Sequence, residues 1–332
     1  MIAYIGRRLV TLIPILFLIS LVSFIIIQLP PGDFVSLYIS RMKLSGIQLD
    51  QDEANRLTKL YGLDKPGGER YITWMKNIIL RGDLGWSFTW NQSVNSLLAE
   101  RIPLTMEISI AALIVSWLIA IPIGIYSATH QYSVFDYIFT FFGFIGLATP
   151  GFLVALVAAW VIFSSTGFSP LGLNSNAFLT APPSVDKTLD MLKHLILPLL
   201  IIGLSSTGVT IRVMRANLLD ELKKQYVITA RAKGLTELGL LIKYPVRMAI
   251  NPIISTVGWI LPGLISGEVL VSIVLAIQTT GPLLLKAILD LDMYLAGSII
   301  MILSSLTVIG TLLSDILLAA MDPRIRYGGI SK

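Results

Sequence analysis

Long apolar runs alternate with polar ones along the chain, and six of the apolar runs reach the roughly 20 residues that a helix needs to cross a hydrocarbon layer. They are Leu9 to Leu29, Pro103 to Ser127, Tyr137 to Ser164, His194 to Ile211, Pro252 to Leu275 and Tyr294 to Ala320. Within each run the apolar residues are continuous instead of alternating. That points to helices and away from a barrel, because a helix satisfies its own backbone hydrogen bonds inside lipid. The expected fold is all-α and integral to a membrane. Residues 31 to 101 form a polar insertion of mixed charge, with helical pieces expected near Gln51 to Tyr61 and Tyr71 to Leu80.

A second polar segment runs from Ile211 to Asn251. It gathers Arg212, Arg215, Lys223, Lys224, Arg231, Lys233, Lys243 and Arg247 against Asp220, Glu221 and Glu237, and so is expected outside the hydrocarbon, as a loop over about 212 to 247. Leu218, Leu222, Tyr226 and Ala230 fall four apart, which predicts one helical face. Gly234 follows Arg231 and Lys233 where such a helix would stop. Lys and Arg gather on the cytoplasmic loops of any membrane protein, and that rule accounts for the charge without a partner. By the same rule Arg7 and Arg8, this loop, and the tail with Arg324 and Arg326 are assigned to the cytoplasm, in keeping with an even number of crossings. The first span continues into Leu29, Pro30 and Pro31 with no small-residue cleavage site, so it is read as retained.

Composition adds few alternatives. Of 332 residues, 55% are hydrophobic and 14% charged, with a mean hydropathy of +0.79; a soluble chain has no place for that much apolar surface. The net charge of +5 is concentrated between the spans, so membrane topology explains it without nucleic acid. With no cysteine there is no disulfide, thiolate metal site or cysteine nucleophile. His130 and His194 flank different spans and do not suggest a metal or catalytic site. There is no Gly-Lys pair, hence no phosphate-cradling loop, and no zinc-protease or serine-hydrolase motif. Ser164, Ser165, Ser205 and Ser206 are hydroxyls without a base, suited to helix packing.

The run Tyr226-Val227-Ile228-Thr229-Ala230-Arg231-Ala232-Lys233-Gly234-Leu235 resembles the loop, related to the EAA loop, by which dipeptide and oligopeptide ABC importer permeases dock on their ATPases. Ile228 fills the one variable position of that pattern. The broader EAA pattern fits less well, since Ile228 stands where its glutamate would be. Further matches run from end to end: Pro31-Gly32-Asp33, Tyr61-Gly62-Leu63-Asp64, Arg81-Gly82-Asp83-Leu84-Gly85-Trp86-Ser87, Leu98-Ala99-Glu100-Arg101, Ile121-Pro122-Ile123-Gly124 and Asp322-Pro323-Arg324-Ile325. The resemblance implies a single transmembrane permease domain over 1–332, with an external insertion at about 31–101 and an ATPase-coupling loop. The coupling residues carried over are Leu219, Asp220, Tyr226, Thr229, Ala230, Arg231, Ala232, Lys233, Gly234 and Leu235. It further implies a second, homologous permease subunit, two ATP-binding subunits, an extracellular solute-binding protein and a place in the plasma (inner) membrane with both termini cytoplasmic. No cofactor belongs to this chain; ATP and Mg are used by the partner subunits.

The chain departs from the family after Gly267. Glu268 stands four positions from the usual acid, one helical turn on the same face, followed by Ser272 and Gln278-Thr279-Thr280. A charge at mid-bilayer costs about 3 kcal/mol on insertion scales, so Glu268 is expected to face the bundle or a water-filled path. Glu268, Ser272 and Gln278 are the candidate substrate-path residues, with helix packing the alternative role for Glu268. Oligopeptides and oligosaccharides both remain open as substrates. A secondary transporter driven by an ion gradient, an intramembrane enzyme and an assembly scaffold are the other function classes. The first would work alone and ignore ATP.

Overall fold

The structure, a computed structural model, describes residues 2–29, 32–44, 51–60, 62–255 and 268–321. Helices α1 (Ile2–Gln28), α2 (Phe34–Leu44), α3 (Gln51–Leu60) and α4 (Gly67–Arg81) precede a small hairpin of β1 (Trp86–Ser87) and β2 (Gln92–Ser93). Helices α5 (Val94–Thr129), α6 (Val134–Ala148), α7 (Gly151–Thr166) and α8 (Val185–Leu222) follow. Four short helices come next: α9 (Gln225–Ala232), α10 (Glu237–Lys243), α11 (Pro245–Ala249) and α12 (Asn251–Ser255). The last three are α13, helical over residues 268–274, α14 (Thr280–Leu289) and α15 (Met293–Met321). Pro31, Tyr61 and the Asp322-to-Ile325 motif lie outside the described residues.

Among the described residues four helices are long and apolar enough to cross a membrane, or five if α6 and α7 count as one span. That pair corrects the expected continuous span from Tyr137 to Ser164: the axis turns by 103° between the two helices. Pro150 is the cause. It has no N–H to donate and forces its predecessor out of the helical region, and Thr149 is accordingly extended at φ −96, ψ 125. Two other expected spans are cores of longer helices. The second begins at Val94 instead of Pro103. The fourth, expected over His194 to Ile211, is the middle of α8, so Arg212 and Arg215 are helical residues and not part of a loop. The expected fifth span contains residues 256–267, which are not described.

The chain forms two compact units, unit 1 built on Thr105–Gln278 with α15 from Thr307, and unit 2 on Arg7–Leu104 and Thr279–Leu306. In unit 2, Val94, Leu97 and Leu98 of α5 pack with Leu283 and Ala287 of α14 and with Leu295, Ala296 and Ile299 of α15. Asp292 caps α15 through the Leu295 N–H (3.3 Å). It also accepts from the Ser87 hydroxyl (2.6 Å) and the Thr89 N–H (3.1 Å), which ties the hairpin down. Burial pushes the Asp292 carboxyl above its usual range, against the pull of these donors.

In unit 1, α8 is the element against which α5, α6 and α7 lie, and small residues set the spacing. A Cβ at Gly208 would fall 2.5 Å from the Gly143 carbonyl oxygen of α6. One at Gly203 would meet the Ala112 carbonyl of α5 at 2.9 Å, and one at Gly124 of α5 would meet the Met214 Cβ at 2.6 Å. Helices in lipid associate through such close backbone approach, since apolar side chains gain little by leaving acyl chains for one another. Ser206 adds a hydrogen bond to Ser116 (3.0 Å). Gly208→Ala is expected to destabilise the subunit by about 1–3 kcal/mol, because backbone atoms cannot move aside. Gly146→Ala, whose Cβ would stand 3.6 Å from the Leu204 carbonyl, should be tolerated. Thermal-shift measurements on the solubilised protein compare the two, and equal melting temperatures would contradict this packing.

Candidate functional site

The basic segment forms a small helical structure at one end of unit 1. Pro245 starts α11 at a position where its missing N–H costs nothing. Val246, Ala249 and Ile253 then press against Met214 and Leu218 of α8 and Ala128 of α5. On this base sits a hairpin of α9 and α10, closed by a minor core of Val227, Ala230 and Leu240 with Tyr244 beside it. Gly234 makes the turn at φ +77 with its N–H on the Arg231 carbonyl (3.0 Å). Nothing lies within 4 Å of where its Cβ would be, so backbone conformation alone calls for glycine there. Arg231 and Glu237 clamp the turn from outside with a two-pronged contact, Nε to Oε1 at 2.6 Å and a second nitrogen to Oε2 at 3.1 Å. The Arg231 guanidinium holds the Glu237 carboxyl below its ordinary 4.5. The clamp is therefore whole at neutral pH and is lost only as pH falls through that depressed value.

The expected single helix through Leu218, Leu222, Tyr226 and Ala230 is interrupted. Helix α8 ends at Leu222, Lys224 is extended (φ −74, ψ 149), and α9 starts afresh. The four residues do not share one face: Leu218 and Leu222 pack on the α11 base and Ala230 in the hairpin core, while Tyr226 is 37% exposed. Glu221 bridges the break, accepting from Lys224 Nζ at 2.6 Å and from the Tyr226 hydroxyl at 2.5 Å. Burial, then the Glu221 carboxylate, push that hydroxyl well above its ordinary range, so it remains a donor. The other expected coupling residues gather here too. Leu219 is half-buried against the base and Asp220 exposed. Thr229 bonds back to the Gln225 carbonyl (2.9 Å), and Ala232, Lys233 and Leu235 face outward. Ile228 (48%), Leu238 (69%) and Ile242 (60%) are also exposed. Apolar side chains thus stand among Lys223, Lys224, Arg231, Lys233 and Lys243, all exposed.

A binding-protein-dependent transport system inner membrane component is the description of the family model that matches residues 120–327, a stretch that includes this whole structure. The chain belongs to that family. A companion model, for the N-terminal part of such membrane components, matches residues 1–109 of this permease. Among curated relatives, the oligopeptide transport system permease protein AppB of Bacillus subtilis (strain 168) is 34% identical, the match covering 98% of this chain and 100% of that protein. A putative peptide permease protein of Brucella suis biovar 1 is 30% identical over 98% of this chain and 99% of its own length. The dipeptide transport system permease protein DppB of Alkalihalophilus pseudofirmus is 30% identical over 98% and 100%. The permease is accordingly a multi-pass membrane subunit of an ABC importer, and its part in transport is non-catalytic.

The three candidate substrate-path residues do not form one group. Glu268 and Ser272 are fully buried in unit 1, where the Ser272 hydroxyl donates to Oε1 at 3.0 Å and Ser109 of α5 approaches Oε2 at 3.5 Å. Gln278 is exposed. It lies at the end of the unit away from the helical hairpin, where the Gly172 N–H donates to the Leu275 carbonyl (2.7 Å). At that end Asp190 of α8 holds the 167–184 loop by accepting from the Ser175 N–H (2.7 Å) and hydroxyl (2.5 Å). Glu107 is exposed and Asp315 half-buried.

Sequence reasoning overlooked Asp136. It sits at the N-terminus of α6, buried, and takes Arg215 of α8 in a bidentate contact at 3.1 and 2.9 Å. It also accepts the Tyr132 N–H at 3.0 Å, and Ser133 caps its amide. The Ser133-x-x-Asp136 spacing is a helix-start signal that could have located it. Because α6 begins beside Arg215, the 130–133 turn and the basic segment share one end of unit 1. Arg215→Met leaves a buried carboxylate without its cation, and is expected to cost about 3 kcal/mol. Adding Asp136→Asn should recover much of the lost melting temperature. An Arg215→Met protein as stable as the wild type would show that the pair does not hold α6 to α8.

Proposed function

We propose that this permease is the membrane subunit of an ATP-driven oligopeptide importer, and that ATPase subunits grip it by the α9–α10 hairpin. The observation that carries the reading is the exposure of Ile228, Leu238 and Ile242 amid five cations, on a hairpin whose own core is already filled. Such a surface suits insertion into an apolar groove with acidic residues at its rim. The docking side is then the outer one. Leu218, Val227 and Ala230 hold the shape that presents it, and Ala232, Lys233 and Leu235 belong to the contact itself.

In this reading the chain is one permease domain of six spans in the plasma (inner) membrane, with both termini and the hairpin cytoplasmic and the 31–101 insertion external. A second, homologous permease completes the path, a solute-binding protein delivers substrate from outside, and the two ATPases use ATP and Mg. The names of the relatives favour peptide over oligosaccharide. Gln278 lies where arriving solute would meet the permease, and the Glu268–Ser272 pair supports the path wall behind it. Nucleotide-driven movement of the hairpin travels along α8, since Arg215, Met214 and Gly208 bind that helix to its neighbours, and opens the path alternately to each side.

The test is uptake by the complete complex in proteoliposomes. Ala232→Glu and Leu238→Asp, both exposed, are expected to lower ATPase co-purification and ATP-driven uptake of a delivered peptide by tenfold or more, with membrane levels of the permease unchanged. Full uptake by both variants would contradict the docking role. Uptake by the permease alone, without nucleotide and abolished by an ionophore, would contradict the importer reading in favour of a secondary transporter.

A further inference from the structure

We propose that α4 is not part of a water-exposed cap but an in-plane helix half sunk into the bilayer, with one flank of its apolar arc resting on acyl chains. Three anchors within unit 2 fix its depth. At its start, Arg70 donates to the Gln28 side-chain oxygen (2.9 Å) and approaches the Met293 sulfur (3.7 Å), which marks the level where α1 ends and α15 begins. Next, the Tyr71 hydroxyl bonds Ser20 (2.8 Å), and Phe24 packs on the rings of Tyr71 and Trp74 with centroids 5.2 and 5.9 Å apart. Ser20 and Phe24 lie inside the apolar window of α1, roughly 12 and 6 Å below Gln28 at 1.5 Å per residue. Beyond the far end of α4, the Leu84 carbonyl accepts from the Trp74 indole (3.2 Å) and from Ser298 (3.3 Å), five residues into α15. The start of α4 is therefore held level with the tips of the spans, while Tyr71, Trp74 and the chain just beyond its far end are held below them.

The residue pattern agrees with that depth. At about 100° per residue, Trp74, Ile78, Tyr71, Met75, Ile79 and Ile72 occupy one continuous apolar arc of roughly 160°. Protein covers only part of it. Trp74 is 3% exposed, whereas Ile72 and Ile79 are 66% and 72% exposed. Glu69, Lys76 and Thr73 lie on the opposite arc, where water would be, with Leu80 (69% exposed) near its C-terminal end the apolar exception, and Lys76 has the reach to place its ammonium at headgroup level. At the level of Phe24, α1 likewise exposes apolar side chains, Val22, Ile25 and Ile26 being 44–50% exposed. Aromatic rings at this level, Tyr71 and Trp74, suit the interface between headgroups and chains.

Because the chain has no cysteine, single-cysteine variants report position directly. Ile72→Cys, Ile79→Cys, Glu69→Cys and Thr73→Cys are labelled with bimane in the full complex, its other subunits made cysteine-free, in nanodiscs that leave both membrane faces open to reagent. The expected result is at least threefold stronger quenching at positions 72 and 79 by doxyl-labelled lipid than by aqueous iodide, with the order reversed at 69 and 73. Iodide quenching at 72 and 79 as strong as at 69 would overturn the proposal in favour of an aqueous cap. Protection of both from lipid and iodide alike would overturn it in favour of a protein partner.

Discussion

A helix surrounded by acyl chains gains little by burying apolar side chains against another helix, so unit 1 is held by how closely its backbones approach. Gly208 against Gly143, Gly203 against Ala112, and Gly124 against Met214 bring α6 and α5 onto α8. The rest of the unit is arranged around that contact. Its position fixes where Asp136 can meet Arg215, and it determines which face of the last turns of α8 is left for Val246, Ala249 and Ile253. Polar groups then take the secondary role of setting register, since a carboxylate or hydroxyl in this setting bonds only where the backbones have put a partner.

Helix α8 also gives the unit its reach. Its 38 residues span roughly 57 Å. One end holds the 167–184 loop through Asp190, and the other carries the helical hairpin through Glu221 and the α11 base. Ser109, the α5 residue whose hydroxyl approaches Glu268, stands 19 residues from Ala128 at the hairpin end, or roughly 28 Å. Under the proposed function a push on the hairpin acts along α8, and the short extended break at Lys224 separates the two.

The larger features were legible because they follow from periodicity and from residues with special backbones. The apolar runs gave the membrane helices, Gly234 gave the turn, and the Thr149-Pro150 pair held the signal for the bend between α6 and α7, though by itself a proline does not distinguish a kink from a reversal. Other features depend on packing that one segment cannot report. Lys223 and Lys224 suit a helix end but do not by themselves force one. The break there arises because Leu222 and Val227 pack into different cores, and a four-residue spacing carried across it joined residues that face different ways. The coupling motif was found as a string, but which of its residues point outward became visible only once Leu240 and Tyr244 were seen to fill the space beneath Val227 and Ala230. Asp136 was missed because its partner, Arg215, had been counted as loop charge.

The central claim is that the α9–α10 hairpin is the part of this permease that the ATPases hold. Hydrogen–deuterium exchange on the permease, with and without its ATPases bound, tests it most directly, since amides in such short, exposed helices exchange quickly unless covered. The account predicts that ATPase binding slows exchange at least tenfold across residues 226 to 239 and leaves the 167–184 loop unchanged. Unaltered exchange in 226 to 239, with protection appearing elsewhere on the permease, would contradict it.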